Sequence, residues 1–379
     1  MKSLKNNLSK LDKPLLICTV VFFVFGLIMI QSASATESYM RYGNSPYMYF
    51  FKQLIHLGAG IFVFFFAISF PTKKYRGLAL VLMYICIALL VYVKVNGYVS
   101  NSAQSWINLG FATLQPSEFF KIASIVYLAV YFDKNKTKLD SQWYRIKPIL
   151  LLFIGFMLVV VQPDLGTASI ILFMCVMIIF SIPSKQMKFM MYKMLLVAVI
   201  IVGGVLVATN GSLLRSYQLS RFEFLNPCDR YKEDTGYQVC NSFIAFNNGG
   251  LTGKGIGEST QKYLYLPEAY TDFIFPIIVE EWGAIVGALL IMMYAFILIR
   301  IYLIAKRATN LRGSMIAYGV FCYILLHICV NLVGVMGLAP LTGVPLPFLS
   351  YGGSFALSLM LALGLVQRVA IENKKLLKN

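Results

Sequence analysis

The sequence predicts an all-α, polytopic membrane protein with about ten transmembrane helices, cytoplasmic N- and C-termini and one long, ordered extracytoplasmic loop. Three observations predict it. Of 379 residues, 59% are hydrophobic and 13% charged, about half the charge of a water-soluble chain. Apolar runs of about 18 residues or more recur along the whole length, each long enough to cross a ~30 Å hydrocarbon layer as a helix. The basic residues fall between these runs on one side, so the net charge of +17 reads as membrane orientation.

Taken in order, hydropathy places spans near residues 14–33, 50–70, 76–94, 117–132, 148–162, 166–182, 187–208, 273–299, 313–335 and 352–367. The first run has about full spanning length and no small-residue cleavage site, so it is expected to stay as a helix and not to be removed as a signal. With the N-terminus inside, the inner segments carry 23 of the 33 Lys and Arg against four acids, while eight bases face nine acids outside. Short inner loops accumulate Lys and Arg, which fixes this orientation. The same count excludes a nucleic-acid footprint, because the positive charge follows topology. Residues 1–379 read as one transmembrane domain, without the internal repeat that marks many transporters.

The outer segment 209–272 breaks the pattern of short connections. Its aromatic and aliphatic residues argue for an ordered lid with short amphipathic helices rather than disorder. Cys228 and Cys240, twelve apart on the oxidising side, are either a disulfide that pins the lid or two free thiols. Five other cysteines lie in spans as small apolar residues. His56 and His327 stand isolated in spans and read as packing residues, not zinc ligands. The run Gly249-Gly250-Leu251-Thr252-Gly253-Lys254-Gly255 lacks the residues of an ATP-type phosphate loop. Either it forms tight turns, or its N–H groups and Lys254 hold a ligand's phosphates. Three prolines and four glycines in 337–354 cannot form regular helix. Irregular apolar backbone at membrane depth must be buried or line a cavity, so 336–351, with Pro347 and Ser350, is expected to be a re-entrant outer wall.

Ionisable groups within spans are costly and mark candidate sites. Glu118 opens the fourth span behind Pro116, an ordinary helix start, but Lys121 one turn later on the same face requires a partner or a function. Glu268, Asp272, Glu280 and Glu281 follow the lid. On a continuous helix Asp272 sits at the outer mouth with Glu281 about 13 Å deeper. A carboxylate at a polar mouth suits a general base or metal ligand; the deeper groups suit structural pairs.

The strings Gln115-Pro116-Ser117-Glu118-Phe119, Gln162-Pro163-Asp164-Leu165-Gly166-Thr167, Leu266-Pro267-Glu268-Ala269-Tyr270-Thr271-Asp272-Phe273-Ile274-Phe275 and Pro345-Leu346-Pro347-Phe348-Leu349-Ser350-Tyr351-Gly352-Gly353 occur in one order across nearly the whole chain. With Ser32-Ala33-Ser34 after the first span, they resemble the SEDS (shape, elongation, division, sporulation) family. The string Gln261-Lys262-Tyr263-Leu264-Tyr265 is more similar to the cell-division branch than to the elongation branch. The resemblance implies a peptidoglycan glycosyltransferase that polymerises lipid II outside the membrane. It further implies a class B penicillin-binding protein and other division or elongation membrane proteins as partners. It makes Asp272 the essential carboxylate, Glu118 and Lys121 cavity-lining residues, Trp106 the outer-loop tryptophan, and Arg221 and Lys262 basic loop positions. The family usually has His where Tyr270 stands, so no imidazole role transfers there.

Sugar transfer from a lipid pyrophosphate needs a base for the acceptor hydroxyl and charge stabilisation for the leaving group. Asp272 suits the first task. Arg221, Lys254, Lys262, or a divalent cation such as Mg or Mn held by acids suits the second; no organic cofactor is required. Two other classes remain, a lipid flippase or ion-coupled carrier and a non-catalytic scaffold.

Overall fold

The computed structural model describes residues 7–43, 45–100, 103–110, 113–208, 226–229 and 234–376. Ten long helices stand where hydropathy places the ten spans: α1 (Lys13–Tyr42), α2 (Met48–Ser69), α3 (Tyr75–Asn96), α4 (Pro116–Asn135), α5 (Gln142–Val161), α6 (Leu165–Phe180), α7 (Lys185–Ala208), α9 (Ile274–Lys306), α10 (Leu311–Val335) and α11 (Gly353–Leu376). An eleventh helix, α8 (Asp234–Gly249), lies in the long loop. Among the described residues seven helices are long and apolar enough to cross a membrane on length and composition alone. At 16 residues, α6 is shorter. In α4 the charged residues Glu118 and Lys121 interrupt the apolar run, and they are tolerated because the helix is central.

Burial separates centre from rim. Of these seven, 89% of the most apolar window is buried in α11 and 61% in α10, against 22–33% in the other five. The rim helices show Val20, Val24, Ile55, Phe62, Ile85 and Ile200 to their surroundings, as lipid-facing helices must. α11 packs along α2, and α4 lies between α3 and α10. The helix ends are fixed by local chemistry. The Asp12 carboxylate accepts the Leu15 N–H at 3.0 Å, and Asp164 and Asn310 cap α6 and α10 in the same way. At its other end α10 closes on Gly337 at φ 64°, with the Leu338 N–H returning to the Val333 carbonyl.

The basic end of the bundle is tied by ion pairs. Arg300 meets Asp12, Asp133 sits 3.1 Å from both Arg76 and Arg312, and Glu372 accepts from Arg368 and from both donors of Thr72. The opposite end carries two features that hydropathy alone does not reveal. Between α3 and α4 the chain forms three short antiparallel strands, β1 (Tyr98–Ser100), β2 (Ala103–Asn108) and β3 (Thr113–Leu114), in the order β1-β2-β3. The Ser354 hydroxyl at the start of α11 joins this sheet by accepting the Gln115 N–H and donating to the Thr113 carbonyl.

The second feature is a break in α9. Gly283 has φ 83° and ψ 167°, so the 33-residue helix is two pieces. The glycine loop repairs the broken ladder in both directions. Lys254 and Gly255 N–H groups donate to the Glu280 and Glu281 carbonyls, and the Gly250 and Leu251 carbonyls accept from Ala284 and Ile285. Turns with Gly250, Gly253 and Gly255 at positive φ therefore use their N–H groups internally. Cys228 and Cys240 are bridged, joining 226–229 to α8. Residues 209–225 and 230–233, including Arg221, lie outside the described residues.

Candidate active site

Asp272 lies just before α9, half-buried, in the turn that Glu268 opens at φ 56°. Three consecutive backbone carbonyls hold this turn in place. The Tyr270 carbonyl accepts the Tyr351 N–H at 2.9 Å, the Thr271 carbonyl accepts the Ser350 hydroxyl at 2.5 Å, and the Asp272 carbonyl accepts the Asn331 amide at 2.7 Å. Two of the donors come from 336–352, which has no helix and is buried through residues 346–350. Ser350 also accepts the Leu346 N–H, and the Pro347 carbonyl accepts the buried Tyr294 hydroxyl. Phe348 at φ 69° turns its carbonyl against Gly26 of α1, where a Cβ would lie 2.3 Å from that oxygen. Glycine at 26 therefore lets the irregular segment sink into the bundle.

The side chain of Asp272 lines a recess with Val330, Asn331, Gly334, Thr342 and Gly343. The Thr271 hydroxyl reaches two carboxylates, Glu268 Oε2 at 2.7 Å and Asp272 Oδ1 at 2.9 Å. Beside the turn, Tyr270 donates to Glu37 at 3.0 Å and packs its ring on Tyr49 and Tyr351. Burial above all, with Tyr49 and Glu37 adding to it, pushes its phenol far above the ordinary range, so it stays a donor.

Below the recess lies a buried polar column. Glu118 is 2% and Lys121 0% exposed, with Nζ 2.8 Å from Glu118 Oε1. The second carboxylate oxygen of Glu118 receives Ser358 at 3.2 Å, near Tyr323. His327 completes the lysine's shell, its Nε2 lying 2.9 Å from Nζ and its Nδ1 3.3 Å from the Pro345 carbonyl. A carbonyl only accepts, so Nδ1 carries the proton and Nε2 accepts from the ammonium. Tyr323, His327 and Asn331 stand four residues apart on α10, one polar stripe about 12 Å long. It connects the buried pair to the Asp272 turn. Twenty residues of α10 separate Leu311 at its basic end from Asn331, about 30 Å of rise, the thickness of the hydrocarbon layer.

The other residues the sequence singles out lie elsewhere. Lys262, 7% exposed, donates to Glu281 at 2.8 Å, Ser32 at 3.0 Å and the Gly257 carbonyl at 2.6 Å. Its three donors anchor the lid to α9 and α1. Glu281 therefore pairs with the lid, from the stretch of α9 that precedes the break at Gly283. Glu280 accepts from Ser259, Thr260 and Asn248, with Lys254 3.5 Å away. Trp106 is half-buried on β2, opposite Tyr98 in the register. Among the described residues no three His, Cys, Asp or Glu come together as a metal cluster. Sequence reasoning missed Asn331, Tyr323 and Ser358, and read His327 as isolated. The signal available for Tyr323, His327 and Asn331 was the four-residue spacing of polar groups in an apolar span.

This arrangement has known relatives. The family profile FTSW_RODA_SPOVE, described as cell cycle protein, matches residues 13–375. A Bacillus subtilis protein named "Probable peptidoglycan glycosyltransferase FtsW" is 36% identical over 385 residues, covering 98% of this chain and 94% of that protein. A chain of the solved structure "Structural coordination of polymerization and crosslinking by a peptidoglycan synthase complex" superposes with a TM-score of 0.75 at 25% identity, covering 96% of this chain and 98% of that one. Thermus thermophilus rod shape determining protein RodA shares the fold, with a TM-score of 0.66 at 22% identity over 95% of this chain and 96% of its own. With that match spanning nearly its whole length, this multi-pass membrane chain belongs to the FtsW/RodA/SpoVE family.

Proposed function

We propose that the chain is a peptidoglycan glycosyltransferase that polymerises lipid II at the outer face of the cytoplasmic membrane, in cell division, with Asp272 as its general base. The observation that carries this reading is the fixed, half-buried carboxylate of Asp272, held by three clamped carbonyls at the recess. Preorganised groups at the reacting atoms are what catalysis requires. Full-length likeness to the Bacillus subtilis relative supports the reaction class. The lysine-rich opposite end supports the outer placement.

In the reaction, Asp272 takes the proton of the acceptor sugar hydroxyl as its oxygen bonds to the donor's anomeric carbon. The bond from that carbon to the pyrophosphate oxygen breaks, and the lipid pyrophosphate leaves with the electron pair, inverting the configuration. Lys262 is neutralised by Glu281, so it holds the lid rather than the leaving group. Mg and similar ions are bound by one or two carboxylates together with substrate phosphates. The adjacent Glu268 and Asp272 fit such a bridged ion, which would offset the pyrophosphate charge. The lipid tail reaches the recess sideways from the bilayer. A class B penicillin-binding protein is the proposed partner, supported by likeness to a chain of a peptidoglycan synthase complex.

The test is a gel assay of glycan strands from lipid II with purified protein in lipid, with and without the partner and with chelator. Asp272→Ala is expected to lose strand synthesis by at least about 100-fold, the scale of general-base catalysis. Strands made by Asp272→Ala at the parent rate would end the assignment.

A further inference from the structure

The Asn331 side chain uses only half of its hydrogen-bonding capacity on the protein. Its amide nitrogen donates to the Asp272 carbonyl at 2.7 Å and to the Val344 carbonyl at 2.8 Å. Both partners are carbonyls, which only accept, so the nitrogen and oxygen of this amide are assigned by chemistry. Both N–H groups are thereby used. The oxygen, Oδ1, has no partner among the described residues, although Asn331 is only 3% exposed. A buried acceptor without a donor is destabilising, and native proteins rarely leave one without a reason. Asn331 also lines the recess that holds the Asp272 carboxylate.

We propose that Asn331 is a substrate-binding residue whose Oδ1 accepts a hydrogen bond from a hydroxyl or amide N–H of the sugar placed against Asp272. This inference deepens the glycosyltransferase reading and rests on it. The two ends of the side chain then do separate tasks. The nitrogen fixes the backbone of Asp272 and of the wall at Val344, and the oxygen recognises the ligand. A sugar with N-acetyl and hydroxyl groups carries donors of the required kind, whereas a lipid pyrophosphate carries none. Asn331 therefore reads the carbohydrate and not the lipid anchor, and it ties sugar position to base position through one rigid amide.

The test measures lipid II affinity, in detergent micelles, for the full-length protein on an Asp272→Asn background, where turnover does not obscure binding. Asn331→Leu removes donor and acceptor together. Asn331→Asp is nearly isosteric and keeps an oxygen acceptor while losing the donors. The expected result is affinity weakened about 5- to 10-fold by Leu, the worth of one neutral hydrogen bond, and within about twofold of the background for Asp. Unchanged affinity in Asn331→Leu, or equal weakening in both variants, overturns the proposal, the second because the Asn331 nitrogen would then account for the whole effect. Failure of the Asp272→Asn background itself to bind lipid II is a different result. It overturns the glycosyltransferase reading, and this inference with it.

Discussion

Lys121 has no exposed surface, yet its ammonium meets a carboxylate, an imidazole nitrogen and, at 5.4 Å, the face of Tyr323. Each partner supplies negative charge or a lone pair, which is how a buried cation survives in an apolar bundle. Half of this shell is legible in the sequence, because Glu118 and Lys121 lie three apart on one helical face. The other half is not, since His327 is 206 residues away and nothing local marks it as a lysine's partner. Removing one member of a buried pair costs about 3–5 kcal/mol, while removing both is far milder. Glu118→Gln is thus expected to lower the melting temperature of the purified protein sharply, and Glu118→Gln with Lys121→Met to recover most of it. A single variant that melts with the parent would refute the pairing energetics.

At the scale of elements, α9 is where pattern and structure part. Residues 273–299 read as one apolar span, and no proline announces the break. Gly283 makes it, because φ 83° is open to glycine and strained for other residues. A Cβ there would also lie 2.2 Å from the Leu251 carbonyl oxygen, within the contact that lets the glycine loop satisfy the broken ladder. Gly283→Ala is expected to cost about 3 kcal/mol or more, read by thermal unfolding in detergent. It should also detach the lid, seen as faster proteolysis within 250–262; parent-like melting and proteolysis would contradict this account of the kink. The irregular segment 336–352 was easier to foresee, since its prolines forbid helix, but which groups it holds follows only from its burial against α1, α9 and α10.

Across the whole molecule, α10 runs from the basic end to the recess, and exposed positions beyond its two ends test the orientation. Thr309 precedes it and Leu338, 67% exposed, follows it. In intact cells, on a Cys329→Ala background, a membrane-impermeant maleimide should label Leu338→Cys and spare Thr309→Cys; the reverse pattern would put Asp272 on the wrong side for lipid II. The sequence by itself determined the ten spans, the gathering of basic residues at one end, the family strings and the Glu118–Lys121 pairing, because these depend on composition, period and neighbours within one helix. Only the tertiary structure decided the three-carbonyl clamp, the His327 contact, the Asn331 amide and the lid anchored through Lys262. The clamp's side-chain donors come from residues 59 and 79 positions distant. Such bonds depend on the depth and rotation at which separate helices pack, and that is settled by the close fit of the whole bundle.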